Sequence, residues 1–356
     1  MTSGKTNNQL AKVAGYFFPV ILTILFLYFA FKGIDLQKSL SLIAQSSLLA
    51  IFLYVVVFFA SHLARALRWR YMIKSVKKDV STFHLFGSVM VGYGVSCVIP
   101  RLGELYRGLF FGRWENISRT SAIGTIVVER IIDIATFALA ALISVSLYSG
   151  DLYNEVSWLK TSLIIGYILI FLATVFLFLL VRYQELFKKI FLKLAAKINK
   201  HLENRLEGLF NTLISGLSSI KGTKNIIMLV IWSAVILLLY ALNSYVGFYI
   251  FGMESTGRVT FAMAWIVMTI SSFSAMIPTP GGTGPYHLIS IFVLTQLFKF
   301  GYEVSAAYAL LTHFISYLLF VLSTLIIIYI VNVSRLKKGL KKESFFSVFS
   351  INTEEK

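Results

Sequence analysis

Four stretches of this chain carry residues whose types and spacing could do chemistry. Arg101, Glu104 and Arg107 directly follow Ile99 and Pro100. Spacing of three puts all three groups on one side of a helical turn. Two guanidiniums flanking a carboxylate suit a phosphate ester, because an arginine fork donates to phosphate through two bonds. The carboxylate between them can keep the pair solvated or meet an amine. Glu129, Arg130 and Asp133 form the second group. Glu129 and Asp133 are four apart and share a helical face, and Arg130 can reach Asp133 three positions on. The third is Pro278-Thr279-Pro280-Gly281-Gly282-Thr283-Gly284-Pro285-Tyr286-His287. Its prolines and glycines free backbone groups that in lipid must find partners. A half-helix beginning there would aim the positive end of its dipole at an anion. The fourth is Arg65, Arg68 and Arg70, a charge cluster that sets topology before it is a secondary lipid contact.

Each group also has a plain structural reading. The first can be an interfacial turn with snorkelling charges, the second an ion pair that locks helices, the third a tight turn outside the membrane. The glycine run lacks the GxxxxGK[ST] pattern of a nucleotide loop. His287 reads as a satisfied buried histidine before a proton carrier.

Composition decides what holds these groups. Of 356 residues, 57% are hydrophobic and 14% charged, and mean hydropathy is +0.79. That balance excludes a soluble domain and predicts a polytopic membrane protein. The net charge of +17 does not call for nucleic acid, because the basic residues cluster beside apolar runs. Orientation and anionic head groups require that placement. One cysteine excludes an intrachain disulfide, and five scattered histidines give no metal-ligand spacing. No metal and no cofactor is expected.

Uncharged windows set the elements, since about 20 apolar residues cross a bilayer core. Residues 1–12 form a cytoplasmic N-terminus and a first span runs from about Val13 to Phe31. With no small-residue cleavage site after it, this run reads as a span and not a signal peptide. A second span lies within Ser39–Ala64. The loop from Arg65 to Lys78 is strongly basic, and Trp69 and Tyr71 fit an aromatic belt. Val80–Pro100 is uncharged for 21 residues. A long helix over about Thr120–Tyr148 carries Glu129 about 14 Å from its start, at 1.5 Å per residue. An acidic loop (Asp151, Glu155) precedes a span at about Thr161–Val181. Arg182–Lys224 holds nine Lys/Arg against three Glu. Within it Leu186, Phe187, Ile190, Phe191, Leu194 and Ile198 share a face, as in an interfacial helix. Three uncharged windows follow: Asn225–Met253, Val259–Phe298 and Val304–Ser334. A basic tail, residues 335–356, ends the chain.

Parity constrains the first motif. With 65–78, 182–224 and the tail inside and 151–155 outside, both ends of segment 80–119 are cytoplasmic. An uncharged run that enters and returns on one side is a re-entrant hairpin with its tip near Pro100. A full span with one loop breaking the charge rule is the alternative. A weak internal echo adds a partner: Ser96–Gly103 and Ser274–Gly281 share Ser, Ile, Pro and Gly at an offset of 178. Paired broken helices point to a transporter's central site. Parity admits 259–298 either as an inverted hairpin or as two spans.

The Pro100-x-Gly-Glu motif with Arg101 and Arg107, the Glu129-Arg130-x-x-Asp133 helix and the Pro-x-Pro-Gly-Gly-x-Gly run resemble the flippase-like transmembrane region of lysylphosphatidylglycerol synthases. The resemblance covers about residues 10–335. It implies an all-α bundle of about eight spans with one or two re-entrant hairpins, forming one domain over residues 13–334. It further implies a lipid translocase of the inner membrane with both termini cytoplasmic. Arg101, Glu104, Arg107, Glu129, Arg130, Asp133, Pro278, Pro280, Gly281, Gly282 and Gly284 would line the pathway, with His287 beside them. Its partners would be lipids with anionic or zwitterionic head groups, a separate lipid-synthesising enzyme and a second copy of the chain. Two departures matter. His287 stands where the family often has Glu, which removes a carboxylate partner for a cationic head group. No soluble aminoacyl-transferring domain is expected, so the chain is not expected to be an enzyme. The competing readings are a polyprenyl-phosphate glycosyltransferase or its accessory, which lacks support from any DxD or histidine cluster, and a non-transporting scaffold.

Overall fold

In lipid the backbone has only itself to hydrogen-bond to, and this sequence answers with helices: no strand occurs among the described residues. The computed structural model describes residues 18–148, 164, 165, 168, 172, 179, 183–200, 207, 222–256 and 259–349. The helices are α1 (Phe18–Phe31), α2 (Leu36–Ala44), α3 (Leu48–Ile73), α4 (Thr82–Val98), α5 (Gly103–Glu115) and α6 (Arg119–Leu147). They continue as α7 (Gln184–Ile198), α8 (Thr223–Ile250), α9 (Phe261–Ser272), α10 (Pro285–Phe292) and α11 (Tyr302–Lys337). The expected first residues of span one, the loop holding Asp151 and Glu155, and most of span 161–181 lie outside the described residues.

Among the described residues α3, α8 and α11 are long and apolar enough to cross a membrane, and the pair α1–α2, bent by 88°, makes up to four. At 29 residues α6 is long enough as well, but it carries Glu129, Arg130 and Asp133 in its interior. Two expected boundaries are corrected. Span two starts inside the window Ser39–Ala64, at Leu48, and overruns it to Ile73, because α2, capped by Asp35 accepting from the Lys38 N–H, takes the first part of the window and ends at Ala44. The chain turns there, and Ser47 restarts it, its hydroxyl accepting from the Ala50 N–H. The basic loop does not begin at Arg65 either. Helix α3 runs on to Ile73, burying Arg65 and Arg68. Trp69 belongs to no aromatic belt, because it is fully buried. A helix is found where the interfacial one is expected, as α7, with Leu186 and Ile190 exposed; the side chains of Phe191, Leu194 and Ile198 lie outside the described set.

The chain divides into two compact units, residues 1–60, 90–103 and 238–327 in one and 61–89, 104–237 and 328–356 in the other. In the second, the basic tail is more than a charge run. Glu343 accepts from Arg335 Nη2 at 2.9 Å, and its backbone N–H donates to Asn332 Oδ1 at 2.8 Å. Phe345 sets its ring edge-on to Tyr106 and Phe110 of α5, and Val348 is buried.

Segment 80–119 is an antiparallel hairpin, as parity requires. Helices α4 and α5 have 17 and 13 residues. That is about 26 and 20 Å at 1.5 Å per residue, short of a hydrocarbon core of about 30 Å. Near the tip, Gly103 lies on Gly92 and Ser96 of α4. At the base, Glu115 closes on the start of α4: it accepts from the Ser81 N–H at 3.0 Å and pairs with Lys77 at 2.9 Å and His84 at 2.7 Å. The window 259–298 resolves in the same way. Helix α9, extended by a turn to Met276, packs on α10, and Ser271 and Ser290 bond across at 2.8 Å. With 12 and 8 residues, neither helix is a span by itself.

Close approach at Gly103 gives a sharp test of the first hairpin. A Cβ there would stand 2.0 Å from the Gly92 carbonyl oxygen and 2.1 Å from Ser96 Oγ. Gly103→Ala should therefore destabilise the purified protein by about 1–3 kcal/mol, the usual range for overpacking, read as a lowered melting midpoint in detergent. An unchanged midpoint would mean the legs do not pack this way.

Candidate functional site

Seven charged side chains from three helices converge in the second unit. Helix α6 supplies Glu129, Arg130 and Asp133, α3 supplies Arg65 and Arg68, and α5 supplies Glu104 and Arg107. The i, i+3 and i, i+4 spacings put each helix's contribution on one face. Glu129 is the hub. Its carboxylate meets Arg65 Nε at 2.9 Å, Arg68 Nη2 at 3.2 Å, Arg107 Nη2 at 2.7 Å and Arg130 Nη2 at 3.0 Å. Asp133 pairs with Arg65 and Arg68 and takes Arg130 Nη2 at 2.7 Å. Glu104 sits at the edge, 3.0 Å from Arg130 Nη1 and 3.6 Å from Arg107 Nη1.

Aromatic and hydroxyl groups fix the arginines. The Arg107 guanidinium stacks on Trp69, 4.0 Å from the ring centroid. Trp69 Nε1 donates to Thr125 Oγ1 at 3.0 Å, and Arg68 Nη1 donates to Ser233 Oγ of α8 at 3.1 Å. Exposure is graded. Glu129, Arg65, Arg68 and Arg107 are buried, whereas the Arg130 and Glu104 side chains are 34% and 41% exposed. Four arginines stand against three carboxylates, a formal charge of +1. The Nε atoms of Arg68, Arg107 and Arg130 are buried with no hydrogen-bond partner among the described residues. The arrangement is a mostly buried, net-cationic cluster with a half-exposed rim of one arginine and one glutamate, suited to an anion.

The structure thus joins Glu104 and Arg107 with Glu129, Arg130 and Asp133, two groups that spacing left separate, and adds Arg65 and Arg68. Two expected members fall elsewhere. Arg101 does not share a helical face with Glu104 and Arg107. It occupies a left-handed turn (φ 68°) ahead of Gly103, where α5 begins. Arg70 donates to the Val80 carbonyl at 2.8 Å and to Thr82 Oγ1 at 2.7 Å. The pairing of Arg65 and Arg68 with Glu129 and Asp133 was missed by reading the arginines as loop residues. The available signal was that two carboxylates deep in an apolar helix need cations.

In the first unit, the two echoing breaks meet. Arg101 Nη2 donates to the Met276 carbonyl at 3.4 Å, and Tyr317 of α11 donates to the Cys97 carbonyl at 2.8 Å. The Pro278–Pro285 run is a non-helical link in which Pro280–Gly282 makes a short turn and Pro285 starts α10. Gly284 needs its glycine: φ is 95°, and a Cβ would come within 2.9 Å of the Thr23 carbonyl oxygen. His287 is buried and satisfied, its Nδ1 accepting from the Gly284 N–H at 3.3 Å, with the His313 ring centroid 4.7 Å away. Gly281 and Gly282 also hold positive φ, and Pro278 lies just before the turn. Among the described residues no set of three His, Cys, Asp or Glu could hold a metal.

The sequence matches the family described as Lysylphosphatidylglycerol synthase TM region over residues 16–323. It is also similar to a UPF0104 membrane protein of Methanocaldococcus jannaschii, 22% identical over 312 residues, covering 84% of this chain and 90% of the relative. A UPF0104 membrane protein of Methanothermobacter thermautotrophicus is 26% identical over 268 residues, covering 70% of this chain and 76% of the relative.

Because Glu129 is fully buried and meets four guanidiniums, neutralising it leaves buried cations without a counter-charge. Glu129→Gln should cost about 3–5 kcal/mol of stability, as for other broken buried ion pairs. Arg101→Gln, at an exposed turn, should change stability by no more than about 0.5 kcal/mol. Melting midpoints of the two variants in one detergent check the contrast.

Proposed function

We propose, from the premise that this chain belongs to the lysylphosphatidylglycerol synthase TM region family, that it is a lipid translocase. It is a multi-pass membrane protein, and the reading places it in the cell membrane with both termini in the cytoplasm. The observation that carries it is the half-exposed rim of Arg130 and Glu104 on a cluster of formal charge +1. A phosphodiester brings one negative charge and two free oxygens. Arg130 would hold that phosphate, with Arg107 behind it, and Glu104 would keep the arginines apart or meet an amine on a zwitterionic head group. Glu129 and Asp133 stay engaged and hold the arginine forks in place. Acyl chains would stay in lipid while the head group passes. The two hairpins supply the moving parts, and the Arg101–Met276 contact between their tips would break and re-form as they move.

Reconstitution tests this directly. Vesicles carrying a fluorescent phosphatidylglycerol in both leaflets are bleached from outside, and the second, slower phase reports lipid movement. Arg130→Gln and Glu104→Gln should each slow that phase by about tenfold or more, since losing a charged hydrogen bond removes about 1.5–3 kcal/mol. Their melting midpoints should stay close to that of the unaltered protein. Unchanged movement in well-folded rim variants would sink the translocase reading and favour a scaffold.

A further inference from the structure

Arg65, Arg68 and Arg70 lie within six positions of α3, yet only the first two turn into the cluster. Arg70 is held away by its bonds to the Val80 carbonyl and Thr82 Oγ1. Those bonds fix its guanidinium on the wall of an open surface hollow of about 450 Å³, lined by Arg70, Lys74, Lys78, Asp79, Val80 and Ser81. Three cations face one carboxylate there. Lys77 points elsewhere, to Glu115 at 2.9 Å. Lys74 and Lys78 are exposed, and Lys74 Nζ lies 4.8 Å from the Tyr71 ring centroid. A charge cluster that only sets topology needs neither a cavity nor an anchored arginine. This one has both, at the end of a helix long and apolar enough to cross a membrane.

We propose that this cavity is a second lipid site, separate from the arginine–carboxylate cluster, that binds the phosphate of an anionic phospholipid head group. Size and charge fit. Ligand pockets run from about 300 to 1,000 Å³, and basic pockets at the ends of membrane helices bind anionic head groups. The site also has a structural consequence. Ser81, on its wall, donates its N–H to Glu115 at the hairpin base. A lipid bound there braces the loop that closes the α4–α5 hairpin.

The test uses the full chain in detergent, titrated with short-chain phosphatidylglycerol, short-chain phosphatidylcholine or inorganic phosphate. Melting midpoint and native mass spectrometry are the readouts. Phosphatidylglycerol should give a Lys74/Lys78-dependent rise in the midpoint and phosphatidylcholine should give none that depends on these lysines. Lys74→Gln/Lys78→Gln, at two exposed positions, should weaken one phosphatidylglycerol binding event by about tenfold to thirtyfold. Lys341→Gln/Lys342→Gln, which removes the same charge from the exposed tail, should leave it intact, and so should Arg130→Gln. That last arm separates this site from the proposed translocation site. Equal loss in the tail variant would reduce the effect to general charge attraction and overturn the proposal. A Lys74/Lys78-dependent shift given by inorganic phosphate and not by phosphatidylglycerol would overturn the lipid assignment.

Discussion

Glu129 and Asp133 cannot sit charged in an apolar helix without cations, and the second unit is built to supply them. Desolvating a carboxylate costs several kcal/mol per ion even after relaxation. Arginines from α3 and α5, with Arg130 from α6 itself, surround the two carboxylates. Meeting that requirement aligns three helices at once. It explains why α3 continues nine residues past Ala64 to Ile73, why Trp69 is buried under Arg107, and why α8 presents Ser233 to Arg68. The cluster carries a surplus of one arginine and keeps a half-exposed rim of Arg130 and Glu104.

The hairpins answer a different constraint. Helices of 17 and 13 residues do not cross a bilayer, so each must return, and the backbone at the tip needs partners inside protein. Tyr317 donates to the Cys97 carbonyl and Arg101 to the Met276 carbonyl. One bond thus joins the two tips, and one ties α11 to the first of them. In the second hairpin His287 caps its own helix by accepting from the Gly284 N–H, and a histidine accepts only while Nδ1 is unprotonated.

Much was legible without coordinates. Composition made the chain a polytopic membrane protein, charge parity favoured a hairpin over a full span for segment 80–119, and helical spacing put Glu129 and Asp133 on one face. These are local or one-dimensional properties: hydropathy, period and charge order. The echo between Ser96–Gly103 and Ser274–Gly281 anticipated two breaks that touch, because a break leaves a Pro/Gly signature in sequence. What lay beyond reach was partner choice. Arg65, Arg68 and Arg70 look alike in sequence, yet two of them enter a buried cluster and the third walls a surface cavity. Arg101 looks like a helical neighbour of Glu104, but one left-handed residue removes it from the helix.

The sequence by itself thus determined the solvent this chain folds in, its helices and its two broken segments, since each follows from how apolar residues and helix breakers behave along a chain. Only the tertiary structure decided which arginine meets which carboxylate. That choice depends on where α3, α5 and α6 bring their faces together, and burial rewards only the pairing in which every charge finds a counter-charge.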